Sequence, residues 1–206
     1  MIFIPKCASG LTTLCADQTA RYSMTGVRIK MEPDGLFQLA ATNGRVLGML
    51  RGPCKPSPKD QEAASKLPAP QSILTETIID AKVLADALKR IPKKGYDGFD
   101  RTLAIQLCNP TLLVAGDSRI EAEPVDGRYP EVMAVIPKRA ALASFKLNPR
   151  LLIDLLKAAA TISETDTDSG HGPWVEILFW APDQPIGIIT RGKDGLAFDG
   201  IIMPLT

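Results

Sequence analysis

Apolar and polar positions repeat one arrangement three times along the chain: a short apolar strand runs directly into a helix that is apolar on one face. The three segments start at residues 2, 77 and 144 and read IFIPKCASGLTTLCA, TIIDAKVLADALKRI and SFKLNPRLLIDLLKAA. Gly10 and the threonines beside it weaken the first helix. The other two have clear core faces, made of Leu84, Leu88 and Ile91 in the second and Leu151, Leu152, Leu155 and Leu156 in the third.

Three extended runs separated by turn residues follow each helix. The first set is ARYSMTGVRIKM, LFQLAAT and RVLGML, with turns at Pro33-Asp34-Gly35 and Asn43-Gly44. RTLAIQLC, TLLVAG and SRIEAEPV form the second set, and WVEILFWA, IGIIT and LAFDGIIMP form the third. A strand, a helix and three strands therefore recur with a period of roughly sixty residues. This pattern predicts an α+β fold built from three half-units packed side by side.

The boundaries between half-units follow from the segments that lack this periodicity. Residues 53–70 contain five prolines and no regular apolar spacing, which predicts an extended connector. We expect a complete domain at 1–137, with half-units at 1–52 and 75–137 joined by a Pro-rich connector at 53–74. A single half-unit is expected at 144–206.

The stretch VDGRYPEVMAVIP, residues 125–137, differs from the other apolar runs. An Asp126-Gly127 turn precedes an apolar run that begins at Tyr129-Pro130 and ends at Pro137. Proline cannot donate to a strand ladder, so a central strand is disfavoured, and the run is predicted to be extended. A position at a sheet edge, or a crossing toward the next unit, fits this composition.

Composition sets only wide limits on function. The 206 residues are 45% hydrophobic and 23% charged, with a formal charge of +1, so net charge argues neither for nor against nucleic acid. The N-terminus has only four apolar residues before Pro5, and no segment approaches the ~20 apolar residues of a membrane helix. We therefore expect a cytoplasmic protein with no membrane association.

Candidate catalytic and metal-binding residues are weak. His171 has no partner in sequence, the ETDTDSG run lacks the glycine and final Glu of a calcium loop, and Glu121 and Glu123 have no base or nucleophile beside them. The cysteines are scattered, at Cys7, Cys15, Cys54 and Cys108, and are expected to be reduced and mostly buried. The sequence predicts no enzyme, no cofactor and no metal site.

Three motifs, in the same order along the chain, resemble signatures of the bacterial DNA polymerase III beta sliding clamp. They are ATNGRVLGML at 41–50, VDGRYPEVMAVIP at 125–137 and GIIMPL at 200–205. Residues 1–137 resemble the middle domain of that family, and residues 144–206 resemble the second half of its last domain. The resemblance implies a DNA-clamp-like fold with helices on one side of antiparallel sheets.

The resemblance also implies a hydrophobic cleft that binds short peptide motifs of polymerases and the clamp loader. Carried over by position, the cleft residues are Met24, Thr42, Gly44, Arg45, Val46, Leu47, Pro130, Val135, Ile201, Ile202, Met203, Pro204 and Leu205. The alternative is that these residues are simply interdomain core. Asn43 stands where the family usually has Asp, and the chain ends MPLT rather than with Arg and Leu, which predicts a different peptide preference.

Basic residues recur on equivalent helices and are the candidates for non-specific contact with duplex DNA. They are Lys82, Lys89, Arg90, Arg150 and Lys157. If a ring needs about twelve half-units, as the resemblance implies, a homo-oligomer of four chains would supply them. The leading hypothesis is therefore a clamp-like processivity factor in DNA replication. The alternative is a peptide-binding adaptor or decoy that keeps the cleft but forms no ring.

Overall fold

The computed structural model describes residues 1–17, 22–53, 56–69, 73–92, 102–136, 144–163, 174–181, 184–191 and 197–204. The chain divides into two compact units, Met1–Ile136 and Pro137–Thr206. Both contain antiparallel sheets and a small number of helices, as the predicted α+β class requires. None of the helices in the described ranges is long and apolar enough to cross a membrane.

The first unit contains eight strands and four helices in the described residues. The strands are β1 Ile2–Pro5, β2 Gly26–Met31, β3 Leu36–Thr42, β4 Leu47–Pro53, β5 Glu76–Asp80, β6 Thr102–Gln106, β7 Thr111–Ala115 and β8 Ser118–Ala122. The helices are α1 Ser9–Thr12, α2 Pro58–Ser65, α3 Ala81–Lys89 and α4 Val132–Val135. Two further 3-10 turns occupy Lys6–Ala8 and Tyr22–Thr25.

The two half-units of this first unit exchange their leading strands. Strand β1 begins the first half-unit but pairs with β6 of the second, with Ile4 opposite Leu103. Strand β5 begins the second half-unit but pairs with β2 of the first, with Ile79 opposite Val27. The resulting sheets have the orders β4-β3-β2-β5 and β1-β6-β7-β8. Each sheet thus needs one strand from the other half-unit.

One hydrophobic core joins both sheets to the helices. Ile2, Ile29 and Ile105 from three different strands, and Leu84 and Leu88 from α3, are completely buried in it. Helix α1 packs against α3 and against β2, β3 and β4. Burial of one apolar face of each sheet beneath the same pair of helices makes the two half-units a single folding unit.

The connector 53–74 is not extended throughout, contrary to the prediction, because Pro58–Ser65 forms α2. Proline at the first helical position and a capping box between Ser57 and Asp60 start this helix. Its Ala63 and Ala64, with Leu67, pack on Phe3, Ala104 and Val114. The five prolines obscured this helix in the sequence, because its apolar face consists of only two alanines, Ala63 and Ala64.

Two other expected extended segments also contain tight turns. Tyr22–Thr25 forms a 3-10 turn, so β2 starts only at Gly26. The apolar run after Pro130 closes into the one-turn helix α4, whose start is capped by the Glu131 side chain accepting from the Met133 N–H. A cap within a short apolar run overrides its extended pattern.

The second unit has one helix and three strands in its described residues. Helix α5 spans Pro149–Ser163, and the strands are β9 Glu176–Phe179, β10 Ile186–Arg191 and β11 Ala197–Ile202, in the order β11-β10-β9. The strand expected at the start of this half-unit is absent, since residues 144–148 have no regular structure. Leu151, expected in the core, is 56% exposed.

Removing the N-terminal cap of α2 tests whether Ser57 stabilises this helix. The Ser57 Oγ accepts from the Asp60 N–H at 3.2 Å, and the Asp60 Oδ2 accepts from the Ser57 N–H at 2.9 Å. Ser57→Ala should destabilise α2 by about 1 kcal/mol and speed hydrogen exchange of amides 58–65.

The matched control is Ser65→Ala, which removes a hydroxyl from the exposed C-terminal end of the same helix. Exchange in 58–65 that is equally fast in both variants would contradict a specific role for the Ser57 cap. The central strands β3 and β7 should keep their protection in either case.

Candidate functional site

An open pocket of about 330 Å³ lies beside the tight turn that joins β3 to β4. The lining residues share a mainly apolar character and come from three segments of the first unit: Met24, Thr42, Gly44, Arg45, Val46, Leu47, Pro130 and Val132. Val46 is 46% exposed although it is aliphatic. The pocket therefore presents apolar surface to solvent next to an exposed cation, Arg45.

Side-chain hydrogen bonds hold the β3–β4 turn in shape. The Thr42 hydroxyl donates to the Val46 carbonyl at 2.6 Å and accepts from the Gly44 N–H at 3.1 Å. The Asn43 Oδ1 accepts from the N–H groups of Arg45 and Val46, at 2.9 and 3.0 Å. Asn43 thus supplies the acceptor that an Asp would supply in this turn.

Gly44 is required at this turn for two physical reasons. Its φ angle of 87° lies in the left-handed region, which side chains with a Cβ rarely adopt. A Cβ at this position would also lie 3.1 Å from the Met24 Cε. Glycine therefore lets the turn backbone approach Met24 and keeps the pocket floor open.

The crossing segment 123–131 forms the opposite wall and is fixed by Tyr129. The phenol O–H donates to the Ala40 carbonyl at 2.9 Å, and the ring packs with Ala40, Ile78 and Val132. The Ser23 hydroxyl donates to the Arg128 carbonyl at 3.0 Å. Because Ala40 alternates with the core residues Leu39 and Ala41, this wall lies on the sheet face opposite the core.

Burial also changes the acid–base behaviour of Tyr129. Its side chain is only 7% exposed, and desolvation raises the pKa of its phenol well above the ordinary value. The Arg28 guanidinium, 5.9 Å from the ring centroid, acts in the opposite direction with a smaller effect. The phenol therefore stays neutral and remains a hydrogen-bond donor at ordinary pH.

The structure brings together seven of the residues predicted for the cleft. Val135, also predicted for the cleft, ends α4, and Val132 takes a lining position that the sequence did not indicate. The missed signal is the spacing of Val132, two residues after Pro130, since an extended run would also place these two residues on one face.

The predicted C-terminal cleft residues belong to the second unit. Ile201 and Ile202 end β11, and Met203 and Pro204 follow it. Ile201 and Met203 are exposed, whereas Ile202 is buried. Leu205 lies outside the described residues. All of the pocket residues named above belong to the first unit.

The predicted DNA-facing cations are all exposed and occupy equivalent positions on two helices. Lys82 and Lys89 are seven residues apart on α3, and so are Arg150 and Lys157 on α5, a spacing that places each pair on one helix face. Arg90 is partly engaged, since it binds Asp86 at 2.7 Å and the Ser118 hydroxyl at 3.1 Å.

Helices α2 and α3 lie on opposite faces of the sheet β1-β6-β7-β8. Along β6, Leu103 and Ile105 face the core that contains α3, while Ala104 faces α2. Lys59 on α2, and Lys66 directly after it, are therefore on the other side of this sheet from Lys82 and Lys89. Lys66 is in addition paired with Glu62 at 2.9 Å and lowers the pKa of that carboxylate.

Other candidate chemistry is sparse in the described ranges. No cluster of three or more His, Cys, Asp or Glu side chains there could hold a metal ion. Cys7 is exposed, contrary to the expectation of burial, and Cys15 and Cys108 are half-buried. Burial raises the pKa of the Cys15 thiol to about 11, so it is a poor nucleophile at neutral pH. His171, Cys54 and the 164–170 loop lie outside the described residues.

Comparison of the structure with solved proteins identifies its fold. It matches the C. crescentus beta sliding clamp with a TM-score of 0.70 at 18% identity, over 98% of this chain and 50% of that one. The DNA polymerase sliding clamp of Bacillus subtilis matches with 0.69 at 17% identity, over 98% and 48%. The Pseudomonas aeruginosa DnaN sliding clamp bound to griselimycin matches with 0.70 at 15% identity, over 98% and 49%.

These matches confirm the predicted clamp-like fold. The chain spans about half the length of the clamps that it matches. No family model matches the sequence. No curated protein matches it either.

The raised pKa of Tyr129 predicts how stability depends on pH. An unfolded phenol loses its proton near pH 10, whereas the folded one holds it, so the free energy of unfolding should fall as pH rises above about 10. Tyr129→Phe removes this dependence. At pH 7 it should be less stable by about 1 kcal/mol, because the Ala40 carbonyl loses its donor.

Urea denaturation of both proteins from pH 7 to pH 11 checks this expectation. Both proteins carry Cys15→Ser, because a charge on Cys15 also raises the pKa of Tyr129, so the difference between them isolates Tyr129. The stability gap, which is the difference in free energy of unfolding between the protein with Tyr129 and the Tyr129→Phe variant, should become smaller above pH 10. A gap that is constant over the whole range would show that Tyr129 ionises as easily in the fold as in the unfolded chain.

Proposed function

We propose that this chain, which has the sliding-clamp fold, acts as a processivity factor in DNA replication. It would bind a short peptide segment of a DNA polymerase or clamp loader in the pocket beside the β3–β4 turn, and duplex DNA through α3 and α5. One observation carries the proposal: all but one of the residues lining that pocket are positions assigned to a peptide cleft from sequence motifs alone.

The chemistry of the pocket supports a peptide ligand. Val46 and Leu47 offer aliphatic surface, and Met24 is an adaptable side chain that can fit ligands of different shapes. Gly44 allows an extended peptide backbone to come close to the turn. Arg45 at the rim can pair with an acidic group on the ligand. The exposed Ile201 and Met203 and the half-buried Pro204 remain proposed peptide contacts, whereas Ile202 is buried.

The proposal gives the chain no enzymatic role. Among the described residues of the lining, the only hydroxyl is that of Thr42, and it is held by the Val46 carbonyl and the Gly44 N–H. The same described residues include no histidine, cysteine or carboxylate, so they offer a nucleophile no general base.

Contact with DNA in this proposal is electrostatic and independent of base sequence. Lys82 and Lys89 have no ion pair within 4.0 Å among the described residues, so both are available to phosphates. Arg150 and Lys157 repeat the same arrangement on α5. Phosphate contacts of this kind position a duplex without reading its bases, which permits sliding.

A second candidate function is a peptide-binding adaptor that never encloses DNA. The pocket favours it, since all of the described residues that line it come from the first unit of a single chain. The two functions differ in their predicted DNA binding: an adaptor would bind the same peptides but would not be retained on circular DNA. Retention that is lost on linearising the DNA would favour the clamp function.

Substitution in the pocket wall should remove ligand binding. Griselimycin serves as the probe because a clamp of the same fold is bound to it. Val46→Asp places a carboxylate on the apolar wall, and burying that charge beneath a ligand should weaken binding at least about tenfold. Titration calorimetry measures the affinity.

The matched control for Val46→Asp is Leu36→Asp. Leu36 is also an exposed aliphatic residue of the same sheet, but it does not line the pocket. The Leu36→Asp variant should bind griselimycin with unchanged affinity. Equal affinity of Val46→Asp and the natural chain would remove the pocket from the proposal.

Neutralising the α3 lysines should weaken DNA binding and its dependence on salt. The double variant Lys82→Ala/Lys89→Ala should lower the slope of log K against log salt by up to about 1.8, because each lost phosphate contact removes about 0.9. Fluorescence anisotropy with a short duplex at several salt concentrations measures this slope.

The double variant Lys59→Ala/Lys66→Ala has the same change in charge on the opposite face of the sheet, and it should leave the slope nearly unchanged. If both double variants lose affinity equally, net charge rather than the α3 face controls binding, and the proposed DNA-facing surface is wrong.

A further inference from the structure

In its described residues, the second unit lacks the strand that completes each sheet of the first unit. In both sheets of the first unit, the first strand after the helix lies beside the leading strand of the other half-unit: β2 beside β5, and β6 beside β1. The corresponding strand of the second unit is β9, and in the described residues it pairs only with β10. Its outer edge is the place where a leading strand belongs.

The second unit also has a leading segment without a strand partner. Residues 144–148 precede α5 as β5 precedes α3. Asn148 accepts from the Arg150 N–H at 3.0 Å, just as Asp80 accepts from the Lys82 N–H at 2.9 Å, so the two residues are equivalent helix caps. The segment 144–148 therefore stands in the place of β5, but no strand in the described part of the chain pairs with it.

The open edge is accompanied by exposed apolar side chains on the helix-facing side of the sheet. Ile177 is 44% exposed and Phe179 is 56% exposed, whereas Ile186 and Ile188, beside them on β10, are buried. On α5, Leu151 is 56% exposed, although its equivalent on α3, Val83, packs against the core of the first unit. In the described residues of the second unit, the apolar side chains at this edge are therefore only partly covered.

We propose that a second copy of this chain supplies the missing half, by a two-fold exchange of the segment 144–148 between two second units. Each segment would pair with β9 of the other copy, which gives both sheets four strands in the order found in the first unit. The two α5 helices would then pack together as α1 packs with α3. Such an interface is isologous, because the same surface of each copy both gives and receives a strand.

The register of this exchange follows from the first unit. The last paired residues of β2 and β9 are Met31 and Phe179, and Trp174 precedes Phe179 by the same distance as Gly26 precedes Met31. Gly26 lies opposite Asp80, so Trp174 would lie opposite Asn148 of the other copy. Lys146 is then opposite Glu176, and Phe145 is opposite Ile177.

Charge and polarity both fit this register. Lys146 and Glu176 are exposed, and in the described residues neither has an ion pair within 4.0 Å. Opposite charges directly across an antiparallel pair stabilise it. Phe145 now stacks on Phe179 of its own chain, with ring centroids 4.9 Å apart. Exchange would carry this ring to the helix-facing side of the partner's sheet, over Ile177.

A second copy is the favoured occupant because both complementary elements are present on this one chain. The edge needs an apolar strand with a cation opposite Glu176, and residues 144–148 have that composition. The inference does not depend on the pocket or on DNA contact. It names a different surface from either, on the second unit.

Light scattering of the full chain across a range of concentrations tests the exchange. The natural chain should show a mass of two copies, or an even multiple of it. Ile177→Asp should shift the population toward single copies by at least tenfold in dissociation constant, while Ile73→Asp, at an exposed site in the first unit, should not. Unchanged hydrogen-exchange protection of β3 and β7 in Ile177→Asp would show that the first unit remains folded. A monomer at every concentration, or an oligomer indifferent to Ile177→Asp, would overturn the proposal.

A cysteine pair provides a second measurement that does not depend on the stability of a variant. Chains carrying Lys146→Cys are mixed with chains carrying Glu176→Cys and oxidised gently. The proposed register puts these two residues opposite each other only between copies, so a disulfide-linked dimer should form in the mixture. Each variant alone, and the natural chain with its own cysteines, sets the background. No excess of linked dimer in the mixture would exclude this register.

Discussion

The pairing of each half-unit's leading strand with the sheet of its neighbour is the constraint on which the rest of the first unit depends. Strand β1 pairs with β6 and strand β5 pairs with β2, so each sheet is complete only when both half-units have folded. This exchange brings the apolar faces of two sheets beneath the same helices and creates one core. It also aligns α3 so that its cations face away from that core, into solvent.

The same exchange separates the two proposed binding surfaces of the first unit. Helix α3 covers the core side of the sheet that contains β3, and the crossing segment with Tyr129 covers its other side. A peptide in the pocket would therefore not compete with phosphates at Lys82 and Lys89. Tyr129 is central to this separation, because its hydrogen bond to Ala40 fixes the crossing segment on the outer face.

Helix α2 has no counterpart in the repeated strand-helix-three-strand pattern. It shields Phe3 and Val114 on the outer face of the other sheet, where a simple repeat would leave them exposed to solvent. The two sheets of the first unit thus have their outer faces covered by different elements: a capped helix on one, and the crossing segment on the other. In the described residues of the second unit, no leading strand pairs with β9, and Ile177 and Phe179 of that strand are exposed.

The sequence by itself determined the elements that local chemistry controls. Apolar spacing located α3 and α5, turn residues located the ends of most strands, and three motifs identified both the clamp-like fold and most of the pocket lining. Tertiary structure alone decided which strands pair across half-units, since leading strands at residues 2 and 77 carry no signal in their own letters for a partner so distant in sequence. It also decided that 58–65 is helical, because a capping box and two packed alanines outweigh a proline-rich pattern only once the surrounding sheet is in place.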